Sequence, residues 1–556
     1  MADSNATLAS AVRTGLIGLV SLAALAMIYS ITDWLDSTAT PYVHTIITGA
    51  IALALLGVGW LATREWKKFR ARQARQSVPK AKGDRLSIVV AALRNDEQGE
   101  YAERIVLSLR EQLGSRVEVL PVSEIVESGK RGNDEERKLD ARKAGQDLLE
   151  RTGCDVLIWG AALRADRILD LNFLARETSS SQNTQSYLLN QALRLPLEFG
   201  QDLGTALAAV AASAASAVVD ERRYLVPVLL PIASRLHHLV ETPPSSLHGN
   251  SLAEIFHAYA LANLTIGDQT GEVEFLSRAI YALREAERIW DPEHAPLQWA
   301  TVQNNLGNAL ATLGRRETGI ARLEQAATAY RAALTVCTRE HTLLHWAGVQ
   351  NNLGNALWAI GEREQGTARL EEAAAVYREV LNEFTQAHMP VDRAMTLNNL
   401  GSALAVIGTR EAGTIRLEEA VAVYHEALTG NTRELAPLLW ASVQNNMGNA
   451  LRNLGKRNNN STQLKEAVSA FHDALQERTP EQVPIDWAIT QNNLGNVLVN
   501  LSEHESGTAR LEQAIIAYSA ALVEFRKSAA TFYIGVASQN LSEAEAALAT
   551  RRAEQQ

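Results

Sequence analysis

The feature that most constrains this chain is repetition. Blocks of one pattern begin at Trp299 (WATVQNNLGNAL), Trp346 (WAGVQNNLGNAL), Arg393 (RAMTLNNLGSAL), Trp440 (WASVQNNMGNAL) and Trp487 (WAITQNNLGNVL), 47 residues apart each time. A second block follows each at constant offset: ARLEQAATAY, ARLEEAAAVY, IRLEEAVAVY, TQLKEAVSAF and ARLEQAIIAY. One period earlier, from Leu252, a degraded copy keeps Leu276, Ala279 and Ala286; one period later, from Ile534, a truncated copy keeps Gln539, Asn540 and Leu541. A unit of this size cannot bury its own apolar face, so copies must stack, and degraded end copies are what capping repeats look like.

Each copy reads as a helical hairpin. The first helix runs from the Trp position to about Leu310, the second from about Arg322 through Tyr330 to Leu334. Gly314, Gly361, Gly408 and Gly455 are expected as left-handed residues just past the first helix, with Ser502 in that place in the fifth copy. Prolines in 294–297, 388–391, 436–438 and 483–485 keep copies from fusing into one long helix. Small residues Gly307, Ala326 and Ala333 permit close helix approach, and a solenoid over 252–550 follows.

Leu306, Gly307, Ala326, Tyr330 and Ala333 resemble the signature positions of the tetratricopeptide repeat, in the long form of kinesin-light-chain-like bacterial repeats. The resemblance implies that first helices line a concave ligand face and that an asparagine after the helix-A glycine holds a peptide backbone. The matching residues are Asn308, Asn355, Asn449 and Asn496, with Ser402 departing from the pattern. A carboxamide offers one donor group and one acceptor, which suits a peptide unit. Asn304, Asn351, Asn398, Asn445 and Asn492 lie four residues earlier, on the same helix face, and extend the expected ligand ladder. Asn305, Asn352, Asn399, Asn446 and Asn493, beside the packing leucine, are read instead as bonds between repeats, and Trp299, Trp346, Trp440 and Trp487 as inter-repeat packing. Arg322, Arg369, Arg416 and Arg510, each followed by Leu-Glu, read as an ion-paired solvent face.

Ahead of the repeats the periodicity changes. Leu86–Ala92, Val117–Val122, Asp155–Gly160 and Arg167–Ala175 have strand character, separated by helical spacing over Tyr101–Leu113 and Leu139–Arg151. This predicts a small α/β domain over 84–220, then a helical connector over 221–251. The run LSIVVAAL, the helix from Tyr101, QDLLERTGCDVLIWGAAL and RILDLNFLA together resemble the amino-terminal domain of TolB. The turn after the first strand, LRNDEQGEY, has neither GxGxxG nor a P-loop, so no phosphate cradle is expected. Asp96, Glu97 and Glu100 read as a helix cap rather than a metal site.

Residues 15–31 and 42–62 are apolar and long enough to be expected as two transmembrane helices, within an anchor over 1–75. Asp33 and Asp36 lie between them, and Arg64, Lys67, Lys68, Arg70, Arg72 and Arg75 follow the second. By the positive-inside rule both termini would be cytoplasmic at an inner membrane, with Arg64, Lys67, Lys68, Arg70 and Arg72 beside lipid headgroups.

A net charge of −10 argues against nucleic acid. The two cysteines, Cys154 and Cys337, lack metal or disulfide spacing, and no GxSxG, HExxH or Walker pattern occurs. The expected architecture is therefore mainly α: two transmembrane helices, a small α/β domain and a C-terminal α-solenoid. The expected function is a non-catalytic scaffold or receptor, without metal or cofactor, that recruits a cytoplasmic protein or peptide and is able to self-associate. The alternative expectation is a sensor whose α/β domain binds a small ligand.

Overall fold

The computed structural model describes residues 79–81, 85–127, 134–176, 191–217, 225–384, 389–430, 432–528 and 530–555. They fall in one compact unit, Pro79–Gln556.

Five strands form one sheet: β1 (Leu86–Ala92), β2 (Val117–Ile125), β3 (Val156–Leu163), β4 (Ile168–Ala175) and β5 (Gln191–Pro196). Their order is β2-β1-β3-β4-β5. β1 is parallel to β2 and β3, crossing over through α1 (Glu100–Leu113) and α2 (Asp134–Thr152), whereas β3–β4 and β4–β5 are antiparallel. β1 and β3 are nearly continuous apolar runs because both of their faces are covered. The buried Asp155 carboxylate ties β3 to β1, accepting from Ser87 N and Oγ at 2.9 Å each and from Arg176 at 3.2 Å. Asp96 caps α1, accepting from the backbone N–H groups of Tyr101 and Ala102 at 3.1 and 2.9 Å. The fifth strand is an addition to the four expected. QALRLP is only six residues long, and it shows its strand character in the burial of Leu193 and Leu195 against the exposed Arg194 side.

Helix α3 (Gln201–Ala214) is buried from Leu203 to Ala214 around its whole circumference, which its run of alanines allows. One side meets α1 and β3–β5; the other meets α4 (Val226–Glu241) and α5 (Gly249–Thr270). A single apolar core therefore runs from the sheet into the helical array.

Seven first (A) helices and six second (B) helices are described. The A helices are α5, α7 (Pro296–Arg316), α9 (Leu343–Arg363), α11 (Pro390–Arg410), α14 (Pro437–Asn458), α16 (Pro484–Ser502) and α18 (Thr531–Glu554). The B helices are α6 (Val273–Ile289), α8 (Ala321–Leu334), α10 (Ala368–Leu381), α12 (Ile415–Ala427), α15 (Ser461–Glu477) and α17 (Ala509–Lys527), with α13 (Thr432–Leu435) a single turn between repeats. Four A helices begin on proline, whose fixed φ suits the first turn and whose missing N–H costs nothing there. Each B helix packs on its own A helix and on the next. A-helix glycines make this possible: a Cβ on Gly354, Gly401, Gly448 or Gly495 would lie 2.5–2.8 Å from the aromatic ring of Tyr377, Tyr424, Phe471 or Tyr518.

Two expectations are corrected. Gly314, Gly361, Gly408 and Gly455 are not left-handed caps; they lie inside the A helices, where a Cβ would come within 2.8–2.9 Å of the first turn of the B helix, at Arg322, Leu370, Leu417 and Leu464. Their service is close packing rather than positive φ. The fold class is corrected as well, and the membrane localisation with it. Among the described residues no helix is long and apolar enough to cross a membrane. Even the longest, of 22 to 24 residues, are interrupted by Asn, Asp, Glu or Arg side chains. The spans expected at 15–31 and 42–62, and Arg64, Lys67, Lys68, Arg70 and Arg72, lie outside the described residues. What the described residues form is a helical-repeat array fused to a small sheet.

Candidate functional site

Two rows of asparagine run along the A helices. In the first row, each repeat donates a side-chain amide to the repeat before it. Asn352 Nδ2 reaches Asn304 Oδ1 at 3.0 Å, Asn446 reaches Asn398 at 3.0 Å, Asn493 reaches Asn445 at 3.1 Å and Asn540 reaches Asn492 at 3.1 Å. The row starts on the capping copy, where Asn305 meets His257 Nε2 at 3.0 Å. Complete burial pushes the His257 pKa down to about 4, so its ring is neutral. One step departs: Asn399 donates to Asn355 at 3.2 Å, and Asn351 keeps a buried Oδ1 without a partner. Asn304, Asn398, Asn445 and Asn492, expected to face a ligand, thus accept bonds from the next repeat, whereas Asn351 donates to Ala347 O within its own helix; all of them but Asn492 are buried.

The second row holds the post-glycine asparagines. Tyr330, Tyr377 and Tyr518 donate their phenol hydrogens to Asn308, Asn355 and Asn496 at 2.8, 2.6 and 2.8 Å. Ser402 replaces asparagine and meets Tyr424 at 3.2 Å. The fourth repeat breaks the pairing from the other side: Phe471 has no hydroxyl, and Asn449, partly exposed, makes no side-chain hydrogen bond. One turn on, Arg452 is partly buried; its Nε has no partner, and desolvation lowers its pKa while neighbouring Tyr518 opposes the shift. Trp358 holds the equivalent place two repeats earlier, also with an unpartnered buried Nε1. Asn355, Trp358, Asn449, Arg452 and Asn496 make this face the candidate binding surface. The sequence reading passed over Trp358 and Arg452, since neither recurs at the period; departure from the period was itself the signal.

The sequence reading also missed a row of arginines that closes the A-helix ends. Arg363 donates to the carbonyls of Gly314, Arg315 and Gly319 at 2.9, 3.1 and 2.6 Å. Arg410 repeats this on Gly361, Glu362 and Gly366, and Arg457 on Gly408, Thr409 and Gly413. Arg316 and Arg551 do the same at the ends of the array. On the B helices, Arg369 pairs with Glu324 at 2.7 Å and Arg416 with Glu371 at 2.8 Å across repeats. Gln463 and Lys465 of the fourth repeat interrupt that series, and Arg510 turns to Glu505 instead. Far from this, Arg142 of α2 reaches Asp392 at the start of α11 at 3.3 Å, tying the sheet domain to the third repeat.

Comparison with known proteins supports the repeat class. Residues 346–387 match the tetratricopeptide repeat family model. That segment is the second copy, and the other copies share its pattern. No such support attaches to the TolB likeness of 84–220. Among curated proteins none matches. A Rap protein crystallised with competence and sporulation factor is similar at 12% identity, over 64% of this chain and 89% of that one, with a TM-score of 0.34. A circular tandem repeat protein with a novel repeat topology is similar at 13% identity, over 82% and 97%, with a TM-score of 0.26. Both scores are too low to carry over a fold or a ligand.

Proposed function

We propose that this chain is a non-catalytic protein-interaction scaffold whose A-helix face takes an extended, acidic peptide segment. The observation that carries the reading is the fourth repeat, where exchange of tyrosine for phenylalanine leaves the Asn449 carboxamide free beside the unpartnered guanidinium Nε of Arg452. An unpaired donor held in a low-dielectric place is costly unless something binds it, and a carboxylate or peptide carbonyl is the natural acceptor. Asn496, whose Oδ1 is taken by Tyr518, keeps its two amide hydrogens for the same peptide. Asn308 is almost fully buried and contributes chiefly to packing.

A peptide array of acidic and neutral extended sequences tests the proposal, read against the unaltered chain, Asn449→Ala and Arg452→Gln. Acidic peptides should be retained, and each substitution should weaken them about tenfold, the worth of one charge-assisted or amide hydrogen bond. Retention indifferent to both substitutions, with thermal stability unchanged, would move the binding surface off this face.

A further inference from the structure

The second and fourth repeats build the same set of side chains around the tryptophan of the A helix, and differ in what covers it. In the fourth, the Arg433 guanidinium lies over the Trp440 ring, 4.5 Å from its centre. Its Nε donates to Glu477 at 2.8 Å and its Nη2 to Gln476 at 2.7 Å. Ninety-four residues earlier the corresponding residues are Arg339, Trp346, Glu383 and Asn382. Arg339 pairs with Glu383, but neither it nor any other described cation lies over Trp346.

A cleft of about 420 Å³ stands there instead, lined among others by Trp346, Thr338, Arg339, Glu340, Glu379 and Asn382. Thr338 Oγ1 is buried in it without a hydrogen-bond partner. Gln350, outside the lining, donates to Glu379 at 3.3 Å and so fixes that carboxylate. Two carboxylates, Glu340 and Glu379, line the cleft with the Arg339 guanidinium, whose charge Glu383 pairs from outside the lining. An aromatic face with excess carboxylate and a spare hydroxyl acceptor calls for a cation, and a planar guanidinium both stacks and forks its donors.

We propose that this cleft receives an arginine side chain of a partner, which takes over Trp346 the place that Arg433 takes over Trp440. The site is separate from the A-helix face, and its test does not depend on that face. The full chain, labelled with ¹⁵N-tryptophan, is titrated with N-acetyl-arginine amide, the Trp346 indole signal being assigned by Trp346→Phe. The expected result is a saturable shift confined to Trp346, about tenfold weaker in Glu379→Gln and in Glu340→Gln. Unmoved signals from the other tryptophans report that each variant stays folded. N-acetyl-citrulline amide, neutral and of the same shape, should leave the signal in place. Absence of saturation, an equal response to citrulline, or an equal response to N-acetyl-lysine amide would each overturn the proposal.

Discussion

Gly354→Ala separates two physical effects of opposite sign. An alanine in a helix interior is worth about 1 kcal/mol over glycine, so propensity alone predicts a gain. The built Cβ, however, lies 2.5 Å from Tyr377 Cε1 and 2.8 Å from Cζ, whereas carbon atoms pack at about 3.5–4.0 Å. Something must retreat by about 1 Å. The ring is 1% exposed and its hydroxyl is held by Asn355 at 2.6 Å, so it cannot swing away without losing that bond. Overpacking of this kind costs about 1–3 kcal/mol, and the lost hydrogen bond adds about 1 kcal/mol more. The net expectation is a destabilisation of about 1–3 kcal/mol, read as a lower urea midpoint of the helical circular-dichroism signal at unchanged slope. In a Tyr377→Leu background the ring is gone, and Gly354→Ala should turn neutral or stabilising. A raised midpoint in the otherwise unaltered chain, or the same loss in the leucine background, would refute the argument.

Three further outcomes follow from the same geometry. Asn446→Ala strands the buried Oδ1 of Asn398 and should cost about 1–3 kcal/mol, while Asn449→Ala, which breaks no internal bond, should stay within about 0.5 kcal/mol by thermal melting. Arg410→Gln removes donors from three carbonyls, and hydrogen exchange should quicken at 361–366 and in the first turn of α10 while α17 is unaffected. Glu254, buried against the edge strand and accepting from Arg194 N at 3.2 Å, has its pKa pushed up by burial from 4.5 to about 8. Between those values the folded chain holds a proton that the unfolded chain has lost, so its contribution to stability falls as pH rises. Glu254→Gln should therefore gain on the unaltered chain across that window, by at most about 1.4 kcal/mol per pH unit, and a flat difference would contradict it.

What was legible in the sequence was whatever recurs or alternates. The 47-residue period gave both helices of each hairpin and the prolines that separate copies, and placing Asn352, Asn446 and Asn493 beside the packing leucine was enough to read them as inter-repeat bonds. Arg316, Arg363, Arg410 and Arg457 recur at the same period and were open to the same reasoning, but an arginine at a helix end reads as a solvated charge until its carbonyl targets are in view. The glycines of the 314 series misled because position near a helix end suggests positive φ, whereas contact with the next helix is a property of the hairpin. The partnerless Asn449 was out of reach for another reason: whether an amide is free depends on a residue 22 positions away lacking a single hydroxyl.

The arginine row also bears on how such a chain matures as it leaves the ribosome. The carbonyls that end one A helix are met by a side chain 44 to 49 residues further on, so those carbonyls have no arginine partner until the successor repeat has been made. The fourth is the exception. His504 stands where the next arginine would be, and Asn459 turns left-handed at φ 49° so that Asn460 N closes on Gly455 O at 2.8 Å. In that hairpin the A-helix end is closed from within its own sequence, before the next repeat has been made.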